Sequence, residues 1–185
     1  MSPPADSDVD LSGLSFRAFS DAGNGSVSAS DPAIIDVIVD AVADTPDVTA
    51  GNVSGGEDTA IALNLGAQLT DTDGSESIDL YTISGVPSGF TLSAGQHAFD
   101  QTWTVPTADL AGLSISAPAG YTGSLNLTLS AKVSEDPTDA EITVGNNGAA
   151  GFDSFTVTWT PVADQPDIEV NNGAGDAEVY EDGSV

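Results

Sequence analysis

The chain has 185 residues, with 29 Asp or Glu against 2 Lys or Arg, so its formal charge is −27. Neutralising a phosphate backbone or an anionic membrane surface takes clustered cations, and Arg17 and Lys132 are the only Lys or Arg present, so neither nucleic acid nor anionic lipid is a partner. At 39% hydrophobic residues there is apolar material for a packed core, and the absence of cysteine removes disulfides, thiolate metal sites and thiol nucleophiles together.

Met1 to Asp6 has neither a basic n-region nor an apolar h-region and reads as the start of an excised piece, not as a signal peptide. No run of 18 apolar residues follows, so no membrane insertion is expected. The first strand signal is the alternating stretch from Ile35 to Val39, followed by Val42-Ala43-Asp44-Thr45-Pro46-Asp47-Val48. Ala60 to Leu65 alternates with period 2, and Leu69-Thr70-Asp71-Thr72-Asp73-Gly74-Ser75-Glu76 then carries alternating carboxylates around a glycine turn. Shorter strand candidates are 78–83, 89–92, 102–105, 113–117 and 141–144, and stronger ones are 125–129 and 155–159. Turns at Gly85-Val86-Pro87-Ser88-Gly89, Pro118-Ala119-Gly120 and Gly145-Asn146-Asn147-Gly148 punctuate them, and only Thr107 to Gly112 reads as helical, for one turn at most. Trp103 and Trp159 fall on apolar strand positions and are assigned to the core.

An internal repeat sets the organisation. Val162-Ala163-Asp164-Gln165-Pro166-Asp167-Ile168 repeats the segment beginning at Val42 after 120 residues, and Asn171 with Glu181-Asp182-Gly183 loosely follows Asn52 with Glu57-Asp58-Thr59. The expected layout is a C-terminal part of one repeat at 1–43, a complete repeat at 44–163 and the N-terminal part of the next at 164–185. Many short strands in about 120 residues, with no helix to cover a sheet, predict an all-β, immunoglobulin-like Greek-key sandwich. The partial repeats either pack on the full one or complete a sheet in a neighbouring molecule, which is head-to-tail self-association.

The acids cluster. Ca²⁺ takes 6 to 8 oxygens in flexible geometry, and the Asp71-x-Asp73-Gly74-x-Glu76 loop supplies carboxylates that converge on a turning backbone; the alternative is a solvated acidic hairpin. The loop is like the first half of an EF-hand loop but has no flanking helices and no Glu at the twelfth position. Asp44-x-x-Asp47 and Asp164-x-x-Asp167 bracket a rigid proline, and Glu57-Asp58 and Glu181-Asp182 follow at matching places. In a sandwich chain the linker and end loops lie at one pole, so Asp44, Asp47, Glu57, Asp58 and the 71–76 loop are expected to meet at a junction. Glu135-Asp136-x-x-Asp139-x-Glu141 and Asp31 with Asp36 read as solvated loops.

These motifs, together with Ile83-Ser84-Gly85-Val86-Pro87-Ser88-Gly89, Leu92-Ser93-Ala94-Gly95 and Leu110-Ala111-Gly112-Leu113, resemble the tandem immunoglobulin-like or cadherin-like repeats of giant RTX adhesins of the LapA type, exported by type I secretion. The resemblance covers the full repeat and both flanks. It implies an extracellular extender module of a bacterial surface adhesin of the kind that builds biofilm, whose neighbouring repeats are locked in line by Ca²⁺. The implied ligands are Asp44, Asp47, Glu57, Asp58, Asp71, Asp73 and Glu76, with Asp164, Asp167, Glu181 and Asp182 at the next junction. Where relatives have a Gly-Asn-Gly-type hairpin, this chain has His97-Ala98-Phe99-Asp100.

Two other functions compete. A carbohydrate- or peptide-binding module of the same kind of adhesin is the alternative. An enzyme is not expected: His97 is the single histidine, and the carboxylates fall in linkers and turns and not in strands facing a cleft.

Overall fold

A computed structural model of the chain describes residues 7, 9–39, 41–71, 74–98, 100–135, 148–170 and 177–180, with the backbone alone for 167–170 and 177–180. The described residues are all-β. In chain order the strands are β1 (Leu11–Phe16), β2 (Phe19–Asp21), β3 (Val27–Ala29), β4 (Ala33–Val37), β5 (Asp47–Gly51) and β6 (Val53–Gly56). Then come β7 (Ile61–Ala62), β8 (Asn64–Gln68), β9 (Glu76–Ser84), β10 (Thr91–Leu92), β11 (Gln96–His97) and β12 (Thr102–Val105). After a single 3₁₀ turn at Thr107–Asp109 follow β13 (Ser114–Ser116), β14 (Gly123–Glu135), β15 (Gly148–Thr160), β16 (Asp167–Val170) and β17 (Ala177–Tyr180).

Two compact units divide the chain. One comprises Met1–Pro46, Leu69–Ile78 and Lys132–Ala150; the other comprises Asp47–Gln68, Asp79–Ala131 and Gly151–Val185. The boundaries fall inside β9, β14 and β15.

The second unit holds most of the core. The largest sheet, most of whose residues belong to this unit, has the order β11-β12-β9-β14-β15-β6, antiparallel where β11, β12 and β9 pair and parallel where β6 meets β15. A three-stranded sheet, β10-β13-β7, supplies a second apolar layer, compatible with a β-sandwich. Alternation sorts each strand: Leu127, Leu129, Ala131, Phe155, Val157 and Trp159 are buried, while the residues between them are half-buried or exposed. From the smaller sheet come Ile61, Leu92 and Ile115, all buried. Phe90, just before β10, packs its ring 5.6 Å from that of Trp159 and 4.9 Å from that of Tyr121, joining the two layers in one aromatic cluster. The outward positions of β14 and β15 form a hydroxyl ladder: Ser124 Oγ lies 2.8 Å from Thr158 Oγ1, and Thr156 Oγ1 donates to Asn126 Oδ1 at 2.9 Å.

The first unit contains one long bent hairpin, in which β1 pairs with β4 and β2 with β3 around the turn at 22–26. A register shift between Leu11 and Leu14 keeps Leu11 opposite Val37 and Leu14 opposite Ile35. Phe16 faces Ala33, which leaves one face of the hairpin largely apolar and open to solvent.

Most predicted strands lie where alternation put them, although 60–65 divides into β7 and the start of β8. The 141–144 candidate and most of the 145–148 turn lie outside the described residues. Trp159 is 1% exposed as the core assignment requires; Trp103 is half-buried, and its ring meets that of exposed His97 edge-on at 5.4 Å.

Candidate metal centre

The linker 41–46 is anchored by buried Ala41 and Pro46, and between them Asp44 is half-buried. Thr70 Oγ1 donates to Thr45 O at 3.1 Å, tying the acidic turn to the linker one residue before Asp71. Glu76 opens β9, and the backbone N–H of Asp44 donates to its Oε1. One carboxylate oxygen from each of Asp44, Asp71 and Glu76 lies within 4.8 Å of the others, and no other group of three possible metal ligands forms among the described residues.

Burial sets the electrostatics. Asp71 is 6% exposed and Glu76 is 7% exposed. Glu76 Oε2 is buried and has no hydrogen-bond partner. Desolvation pushes the Glu76 carboxyl above its ordinary 4.5; the N–H of Asp44 pulls it down, and the charges of Glu135, Asp71 and Asp44 push it up again. Converging carboxylates removed from water repel one another, and a hard divalent cation held among them would cancel that repulsion and give the oxygen without a donor a partner. Asp44, Asp71 and Glu76 offer up to six carboxylate oxygens, an all-oxygen donor set of the kind that could hold a hard metal ion. No histidine or cysteine is in the group, which disfavours the softer transition metals.

The remaining expected ligands have other surroundings. Asp47 is exposed, opens β5 and stands opposite Gln68. Glu57 Oε1 accepts the backbone N–H of Val162 at 2.8 Å, and Asp58 Oδ1 accepts that of Gly120 at 2.8 Å. These two acids serve as backbone anchors around the β6–β7 turn, where Asp58 itself takes a left-handed φ of 58°. Asp164 is exposed and Asp167 opens β16; Asp73, Glu181 and Asp182 lie outside the described residues.

One acid whose sequence context is that of a solvated loop lies close enough to Glu76 to raise its carboxyl pKa. Glu135 is 4% exposed, and with Asp71 and Glu76 it makes up the buried charged residues among those described. The signal that finds it is the period-2 pattern of β14: Leu127, Leu129, Ala131 and Val133 all point inward, and Glu135 is the next inward position.

Compared with known proteins, the chain matches no family model and no curated protein.

Proposed function

We propose that the chain is an extender module of a bacterial cell-surface adhesin, an immunoglobulin-like sandwich in tandem array stiffened by Ca²⁺ where linker and end loop meet. The observation that carries this reading is the Asp44, Asp71 and Glu76 group, which draws a linker and a turn 25 residues apart onto one buried patch of negative charge. Each side chain adds repulsion when the site is empty and a ligand when it is filled. A linker built this way is slack at low calcium, which suits export, and rigid at extracellular calcium, which suits a stalk. The work is mechanical, not catalytic.

The test is a thermal melt and a hydrodynamic measurement in EDTA and in millimolar Ca²⁺. Ion binding at 100 times Kd adds about 2.7 kcal/mol to the unfolding free energy, so chelation is expected to lower the melting temperature and increase the hydrodynamic radius. Identical melts in both buffers would sink the proposal.

A second reading concerns partners. Among the described residues, ten of the 12 exposed large hydrophobic ones lie between Val9 and Val42, most of them on or beside the bent hairpin. A two-stranded ribbon is marginal in water without a covered face, which favours self-association through this segment.

A further inference from the structure

The Asp44, Asp71 and Glu76 group leaves a neighbouring carboxylate without a stated role. Glu135 closes β14 and Glu76 opens β9, and these strands are adjacent in the main sheet. A Cβ added at Gly85, just past the end of β9, would stand 2.9 Å from the backbone oxygen of Asn126, near the start of β14. The end of β9 therefore meets the start of β14, the strands run antiparallel, and the start of β9 meets the end of β14. This brings Glu135 to Glu76.

The same geometry gives Glu135 an unusual address. It continues an inward row whose four preceding members, Leu127, Leu129, Ala131 and Val133, are each no more than 1% exposed. A carboxylate in such a row is costly unless hydrogen bonds or an opposite charge compensate it, and its neighbour Glu76 adds like charge. Glu135 lies outside the 4.8 Å group, so as a ligand it closes on an ion that the other three first hold.

We infer that Glu135 is a fourth carboxylate ligand of this centre, and that it makes the site selective for Ca²⁺ over Mg²⁺. The inference rests on the reading of the centre as a cation site. Four carboxylates offer up to eight oxygens, the upper end of the Ca²⁺ range; Mg²⁺ takes six at near-ideal octahedral geometry and keeps several waters, so it gains little from a fourth acid.

The experiment is calorimetric titration of the whole chain with Ca²⁺ and separately with Mg²⁺, paired with melts in EDTA. The variants are Glu135→Gln and Glu135→Asp, with Asp109→Asn, an exposed site in the 3₁₀ turn, as the control for loss of one charge. Glu135→Gln is expected to weaken Ca²⁺ at least about tenfold, to leave Mg²⁺ nearly unchanged and to raise the melting temperature of the ion-free chain. Glu135→Asp, which keeps the charge and shortens the reach, is expected to weaken Ca²⁺ by less, and Asp109→Asn not at all. A merely structural role predicts a lower ion-free melt, the opposite sign. Wild-type Ca²⁺ affinity in Glu135→Gln, or equal losses for the two metals, overturns the inference while leaving the centre intact. Absence of Ca²⁺ binding by the wild-type chain overturns the centre itself. Should Glu135→Gln fail to fold, undiminished Ca²⁺ affinity in Glu135→Asp overturns the inference.

Discussion

Glu76 is the residue on which burial and charge pull hardest. Its folded-state carboxyl is held above 4.5, chiefly by desolvation, so the native chain keeps this proton at pH values where the unfolded chain has lost it. The contribution to stability is therefore fully present below 4.5 and is lost as pH rises through the raised folded value. In EDTA the melting temperature is expected to fall as pH climbs from 4.5 towards neutrality. In Ca²⁺ the sign reverses, because protons then compete with the ion for the same oxygens. Glu76→Gln is expected to flatten both pH dependences, to raise ion-free stability by ~2 kcal/mol at neutral pH and to reduce Ca²⁺ affinity. Melts across pH in both buffers check this; a Glu76→Gln chain with the wild-type profile in EDTA would place the charge conflict elsewhere.

At the scale of elements, β14 and the turns around it define what the site can be. The alternation that packs Leu127 and Leu129 on the core also carries Glu135 inward, so strand geometry, not loop composition, delivers this carboxylate. Close backbone approach fixes the neighbouring hairpins. Gly95, in the bend before β11, has φ +95°, and a Cβ there would stand 2.6 Å from the backbone oxygen of Thr104 and 3.1 Å from Val105 Cγ2. The obstacle is backbone, which a rotamer change cannot relieve. Gly95→Ala is therefore expected to cost about 2 kcal/mol or more, and a lower urea midpoint with an unchanged m-value is the readout. A neutral substitution would mean that the β11–β12 hairpin moves freely enough to admit the methyl.

Across the whole molecule, a charge of −27 opposes association while the exposed apolar residues of 9–42 favour it. Salt shifts that balance, because screening weakens repulsion over distances of ~10 Å and leaves hydrophobic contact in place. Sedimentation is expected to show a concentration-dependent dimer that strengthens with NaCl. Ile35→Ser, at 47% exposed on the open face of the hairpin, is expected to weaken it. A single monomeric species at all concentrations and salt levels, in the wild-type chain, argues against self-association.

The all-β character, the strands around Leu127, Thr102 to Val105 and Trp159, and the acidity of the 71–76 segment are legible in the amino-acid order alone, because each is written in period-2 alternation or in local spacing. It also placed Asp44, Asp71 and Glu76 among the candidate ligands, since carboxylates beside a proline and a glycine turn are visible one segment at a time. Which acids converge depends on how distant segments pack. Glu57 and Asp58 share the composition of a ligand pair, yet the chain bends their oxygens onto the N–H groups of Val162 and Gly120, more than 60 residues away. Glu135 reads as the first acid of a solvated run until strand pairing sets it beside Glu76. Period-2 alternation marks Glu135 as an inward position, but what an inward acid faces is a property of long-range packing, and no local pattern encodes it.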